Sequence, residues 1–263
     1  MSKDEILNIF HKQLRVDIEP QGFKREKTDY VVRHVSNYNE DGFISSSNIN
    51  EVNAHEVIRS ELKYFNEIGQ CFEWKVYSYD QPANLLKILE AEGFEVEDRE
   101  ALMVMEINEN HPFLNSSLPS NLREITSVQE IKELIQLAEM VFGESLSELE
   151  KRLCRDKQKN PLSLFLYGIY ENEELVSAAW MYLENGTSFA SFWGGATKQE
   201  ARGKGYYSSL LKVRAQKAFE HGYRFMTVDA LPTSQPILEK NGFDCLAYSY
   251  GCQSPKTRYF KDK

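Results

Sequence analysis

Three strand-like runs follow one another closely between Leu162 and Thr197: "LSLFLYGIY", "ELVSAAWMYL" and "SFASFWGGAT". The short acidic turn "ENEE" joins the first two, and "ENGT", Glu184 to Thr187, is a strong hairpin signal before the third. Connections this short force antiparallel neighbours, because a parallel crossover needs about a dozen residues or more. The chain is therefore committed here to a three-stranded antiparallel meander.

The stretch that follows at once is "ARGKGYYSSLL", Ala201 to Leu211. From Tyr206 onward, Tyr207, Leu210, Leu211, Ala215, Ala218 and Phe219 recur at helical spacing, and Gly222 closes the helix. A helix start preceded by glycines offers unpaired N–H groups and the positive end of a dipole. Gly203 and Gly205 remove Cβ atoms that block close approach and permit left-handed backbone, while Arg202 and Lys204 add mobile positive charge. All of that suits a diphosphate. A basic, glycine-rich turn with no ligand is the competing reading, since short motifs often match by chance. There is no G-x-x-x-x-G-K-[ST] motif, and the loop follows a meander rather than the first strand of a βαβ unit, which counts against a dinucleotide fold.

Around this loop the order of elements is specific. "LREIT" reads as a short strand, and Ser127 with Glu130 three residues on opens an amphipathic helix reaching about Val141. A second helix is expected over Ser145 to about Lys157. Beyond the loop helix come the strand "YRFMTVDA", the short helix "SQPILEKNG" and the strand "FDCLAYSYG". This order, with R-G-K-G-Y-Y at Arg202 and "LEKNGF" near the end, resembles the GNAT acetyltransferase superfamily over about residues 121–263. The family's loop signature is Q/R-x-x-G-x-G/A; Arg202 and Gly205 match it, whereas Tyr207 stands where Gly or Ala is usual.

The resemblance implies an α+β fold: a GNAT-like mixed, mostly antiparallel central sheet flanked by helices. It implies acetyl-CoA as cosubstrate, with no metal. The main-chain amides of Arg202, Gly203, Lys204, Gly205, Tyr206 and Tyr207 would hold its diphosphate. Ala196 and Thr197, at the end of the third meander strand, would pair with the pantetheine arm and offer an amide to the thioester oxygen. That strand would splay from the strand containing Val228, and Gly194-Gly195 just upstream suit a β-bulge.

The implied chemistry is direct attack of a neutral primary amine on the thioester, after a carboxylate or a water chain has taken the amine's proton. Many members place a tyrosine general acid in the last short helix, and the matching position here is Leu238. Ser234 or Tyr248 is the candidate substitute, and Asp229 the candidate for amine binding or proton acceptance. An ordinary strand-end turn explains Asp229 equally well.

Residues 62–94 repeat part of this order: helix, glycine, aromatic-flanked strand, Gln-Pro, and a helix ending in Gly-Phe. Gln81-Pro82 and Gly93-Phe94 stand where Gln235-Pro236 and Gly242-Phe243 stand later. Two tandem related domains are expected, 1–115 and 116–263, separated by a linker over Asn108 to Asn121. The first would have lost the cofactor loop. Its corresponding stretch, Ser45 to Val57, has no glycine and no Lys or Arg, and carries Glu51 and Glu56. Residues 1–118 hold 12 Lys+Arg and 22 Asp+Glu, net −10, against 19 and 18, net +1, in the remainder. A polyanion would find the second half more hospitable, and the overall net charge of −9 argues against nucleic acid as a partner.

No apolar run approaches the roughly 18–20 residues of a membrane span, and "MSKDEILNIF" is no signal peptide. Cys71, Cys154, Cys245 and Cys252 form no C-x-x-C pair and no cluster with the histidines. A cytoplasmic enzyme with free thiols and a small-molecule amine substrate is expected, bound neither to nucleic acid nor to membrane, and a homodimer stays open. The alternative is a non-catalytic CoA-binding sensor or scaffold. A third reading is an interaction protein whose loop is only a turn.

Overall fold

The structure, a computed structural model, describes residues 1–38 and 40–256. In chain order the elements are α1 (Lys3–Phe10), continued by a wide π-type turn over His11–Asp17, then β1 (Phe23–Lys27), β2 (Val31–Ser36) and β3 (Gly42–Ser47). Next come α2 (Ala54–Glu67), β4 (Phe72–Tyr77), α3 (Leu85–Ala91), β5 (Glu95–Val96) and β6 (Glu100–Glu106). After a 3-10 turn at Pro112–Asn115 follow β7 (Leu122–Ile125), α4 (Val128–Phe142) and α5 (Ser147–Lys159). The meander is β8 (Leu164–Glu171), β9 (Glu174–Leu183) and β10 (Phe189–Thr197). It leads into α6 (Tyr206–Glu220), β11 (Phe225–Ala230), α7 (Gln235–Lys240) and β12 (Asp244–Gln253).

The chain forms two compact units, one of Met1–Met103 with the chain from Asp229 onward, the other of Val104–Val228. In the second unit β7, β8, β9 and β10 pair antiparallel in that order, as the tight turns require. Ser127 caps α4 in a full capping box with Glu130. Ile131, Leu134, Ile135 and Ala138 of this helix pack with Leu164, Leu166, Ala178 and Trp180 of the strands. Strand β10 then pairs parallel with β11, but only from Phe189↔Phe225 to Ser191↔Thr227. Beyond Ser191, β10 runs on to Thr197 without that neighbour. Its register on β9 shifts between Gly194 and Ala196, a β-bulge with both glycines at positive φ.

The first unit has the same internal order. β1, β2 and β3 form an antiparallel meander, α2 follows, and β3 pairs parallel with β4 for three residues, Gly42↔Phe72 to Ile44↔Trp74. Its core gathers Ile44, Ile58, Phe65, Trp74, Leu89 and Phe94. Arg15, 2 % exposed, ties the N-terminal segment to the unit through a bidentate pair with Asp80 at 2.7 and 2.8 Å.

Two features differ from a division of the chain at 115/116. The last strand, β12, pairs antiparallel with β4 from Ser249↔Tyr77 to Gln253↔Glu73 and so packs within the first unit. Periodicity identifies β12 as a strand but is silent about a neighbour more than 170 residues away. The Asn108–Asn121 stretch, linker-like in composition, is anchored: Gln216 Nε2 of α6 donates to Phe113 O at 2.6 Å and to Ser116 O at 3.0 Å, and Phe113 is buried.

Candidate functional site

The loop between β10 and α6 is built from glycine conformations that no other residue adopts cheaply. Gly203 and Gly205 have φ of +77° and +80°, and a Cβ on either would meet nothing within 4 Å. The space above them is open. Gly205 is the N-cap of α6 and offers no side chain to the helix's first N–H groups. Among the described residues, the main-chain N–H groups of Gly203 to Ser208 make no hydrogen bond, whereas Arg202 N donates to Gln199 O at 3.3 Å. Consecutive free donors at the start of a 15-residue helix are an anion cradle.

The cations around the cradle are distributed unevenly. Lys204 Nζ pairs with both carboxylate oxygens of Glu171 at 2.7 and 2.9 Å, and Tyr206 Oη donates to the same group at 2.6 Å. Lys198 pairs with Glu174. Both acids lie at the β8–β9 turn, so that turn braces the loop from one side. Lys204 is therefore held, not mobile, because a carboxylate 33 residues earlier in sequence reaches it. Arg202 is exposed, donates from Nε to Thr197 O at 3.3 Å, and makes no ion pair among the described residues.

Behind the loop, Tyr207 turns its ring toward β10. A Cβ on Gly195 would stand 2.9 Å from that ring, and a Cβ on Gly194 would overlap the ring of Trp180. The two bulge glycines thus supply the volume that two aromatic rings fill. Ala196 is 2 % exposed, and Thr197 Oγ1 lies 2.7 Å from Ser177 Oγ on β9.

The three candidates for acceptor chemistry all lie in the other unit. Asp229 Oδ2 stands 3.3 Å from Lys75 Nζ, which also pairs with Glu100 at 2.6 Å. Burial pulls the Lys75 ammonium down, but Asp229, Tyr77, Glu73 and Glu100 more than offset it and hold its pKa well above the ordinary value. A lysine so held stays charged, and Asp229 already faces a cation. Asp229 Oδ1 is buried with no partner among the described residues. Ser234 Oγ donates to Leu231 O at 3.1 Å ahead of α7. Tyr248, on β12, carries the Arg99 guanidinium 4.2 Å from its ring centroid. No hydrogen bond joins any two of the three among the described residues. Leu238, at the position of the family's tyrosine, is fully buried.

The sequence of this segment matches the model of the acetyltransferase (GNAT) family over residues 129–243, from the first turn of α4 to the residue before β12. That span contains the meander, the bulge and the cradle. Residues 129–243 are a GNAT acetyltransferase domain. No curated protein sequence matches the chain significantly. Solved structures match nearly its whole length and show the fold. A GCN5-related N-acetyltransferase from Kribbella flavida covers 95 % of each chain at 13 % identity, with a TM-score of 0.67. A conserved protein of unknown function from Staphylococcus epidermidis covers 95 % of this chain and 98 % of its own at 12 % identity and a TM-score of 0.64. A tandem GNAT protein from the clavulanic acid biosynthesis pathway covers 90 % of this chain and 84 % of its own at 11 % identity and a TM-score of 0.58. The similarity in fold thus extends beyond residues 129–243 to nearly the whole chain.

Two residues of the site carry no sequence signal. Glu171 reads as part of an acidic turn, and Arg214 reads as one more solvated cation on an amphipathic helix. Arg214 is 2 % exposed.

Proposed function

We propose that this protein is an acetyl-CoA-dependent N-acetyltransferase acting on a primary amine of a small acceptor. The observation that carries the reading is the run of unbonded amides from Gly203 to Ser208, open to the outside above two left-handed glycines. Within a GNAT domain such a run suits the diphosphate of CoA. Gly203 and Gly205 leave the room, the amides donate, and Arg202 adds charge that no carboxylate among the described residues has taken. The end of β10, with Ala196 and Thr197, suits the pantetheine arm, because it is paired with β9 on one side while β11 leaves it on the other after Ser191. Bound there, acetyl-CoA would supply the activated acyl group.

Protein groups have then to position the amine and take its proton. Asp229, whose Oδ2 stands 3.3 Å from Lys75 Nζ, is the candidate for binding the amine or taking its proton. The departing thiolate is a fair leaving group without help from an acid, since a thiol pKa is about 8.5.

A second reading, a CoA-binding protein without turnover, draws on Leu238, whose buried side chain has no proton to give. A panel of primary amines incubated with protein and acetyl-CoA, followed by assay of released thiol, separates the two. Thiol release that depends on an amine and falls at least tenfold in Gly205→Val is the expected result. Tight acetyl-CoA binding with no amine-dependent release across the panel would favour the second reading. No acetyl-CoA binding at all would defeat both.

A further inference from the structure

Arg214 is a buried guanidinium with no acidic partner among the described residues. It projects from the middle of α6 under the meander. Its Nε donates to Leu210 O at 2.9 Å, and its Nη1 donates to Trp180 O on β9 at 3.0 Å and to Trp193 O on β10 at 3.3 Å. The guanidinium carbon lies 4.4 Å from the centroid of the Phe192 ring. Burial lowers its pKa to about 10, against the opposing pull of Tyr207 and Tyr167, so the group is charged at neutral pH. A buried charge without a counter-charge is costly, and a helix facing a sheet is ordinarily served by an aliphatic side chain. The expense calls for a local reason.

Its place in the strand register supplies one. Trp193 and Trp180 are the register pair immediately before Gly194, where the bulge begins. Arg214 donates to the carbonyl on each side of that pair, and so bridges β9 and β10 at the last residues before the ladder is interrupted. On the other side of Gly195 lies the Tyr207 ring, from the same face of α6, seven residues earlier. The bulge is thus held from the helix by two side chains, one through hydrogen bonds and one through contact.

We infer that Arg214 is the positioning residue of the β10 bulge, setting the main chain of Trp193–Gly195 so that the strand end at Ala196-Thr197 is presented to the thioester arm of an acyl-CoA. The inference rests on the acetyl-CoA reading above and adds to it a division of labour. The cradle at Gly203–Ser208 holds the nucleotide end, and Arg214 serves only the pantetheine end.

That division is testable with two probes, acetyl-CoA and ADP 3′-phosphate, which keeps the phosphates and lacks the pantetheine arm. Both are titrated calorimetrically into wild type, Arg214→Met and Arg214→Lys, each checked for a cooperative thermal transition. Arg214→Met is expected to bind acetyl-CoA at least tenfold more weakly than wild type. Its affinity for ADP 3′-phosphate should stay within about twofold. Arg214→Lys, which keeps the charge and one donor direction, should recover part of the acetyl-CoA affinity. It also carries the test if Arg214→Met fails to fold. Unchanged acetyl-CoA affinity in a folded variant, or parallel loss of both probes, would overturn the inference. Wild type binding both probes equally well would also overturn it while leaving the diphosphate cradle standing. Wild type binding neither would remove the acetyl-CoA reading and this inference with it.

Discussion

Tyr207 stands where the family loop prefers glycine or alanine, and Gly195 gives up the volume its ring needs. The exchange keeps α6 close to β10 with the large residue on the helix and the small one on the strand, a volume-conserving solution that cores tolerate. Histidine 34 shows the same dependence on surroundings through its charge. His34 is fully buried, with Nε2 3.0 Å from Ser45 Oγ and Nδ1 unpartnered among the described residues, and its ring stacks on Phe43 at 4.4 Å. Burial first, then Arg25, lowers its pKa to about 4. A histidine depressed in the folded state favours folding above its unfolded pKa of about 6.5 and loses that contribution as pH falls toward 4. Unfolding free energy should therefore drop by about 3 kcal/mol between pH 6.5 and 4 on account of this group, at about 1.4 kcal/mol per pKa unit. Urea titrations of wild type and His34→Phe across that range check it: the variant should lose this part of the slope, and equal slopes would contradict the assignment.

At the level of elements, the β8–β9 turn acts on the loop that precedes α6. Glu171 holds Lys204 and Tyr206, so a diphosphate in the cradle competes with a carboxylate for the lysine. Glu171→Gln is expected to tighten acetyl-CoA binding at low salt, and the gain should vanish near about 1 M salt, where the Debye length is about 3 Å. Calorimetry at two salt concentrations measures it, and weaker binding in the variant would assign Glu171 to ordering the loop instead. This brace was not legible in the sequence, because Glu171 and Lys204 are 33 residues apart and local patterns carry no information about such pairs. Features encoded locally were legible. The hairpin at Glu184–Thr187 fixed the antiparallel partners, Ser127 with Glu130 marked the start of α4, and Gly205 and Gly222 bracketed α6. Arg214 has no local signal for a different reason: a cation on an amphipathic helix is usually solvated, and only the burial of α6 under the meander shows otherwise.

Across the whole molecule, each unit repeats one order of meander, helix and a three-residue parallel pairing, and only one of the two copies has a glycine loop before its helix. In the other, α2 begins after Asn53, with Glu51 and Glu56 flanking its start. No helix among the described residues is long and apolar enough to cross a membrane. Because β12 completes the first unit by pairing with β4, a fragment of residues 1–115 would expose the edge of β4 from Glu73 to Tyr77. Such an edge invites aggregation. The fragment is expected to aggregate or to lack a cooperative thermal transition by circular dichroism, and a monomeric, cooperatively folding fragment would contradict this account of the unit. The claim on which the function depends is that the free amides before and within the first turn of α6 hold the diphosphate of CoA. Hydrogen exchange followed by mass spectrometry, with and without saturating acetyl-CoA, tests it without altering the chain. Slowed exchange concentrated in peptides spanning Gly203 to Ser208 is the predicted result; saturating acetyl-CoA that leaves exchange in that segment unchanged would contradict it.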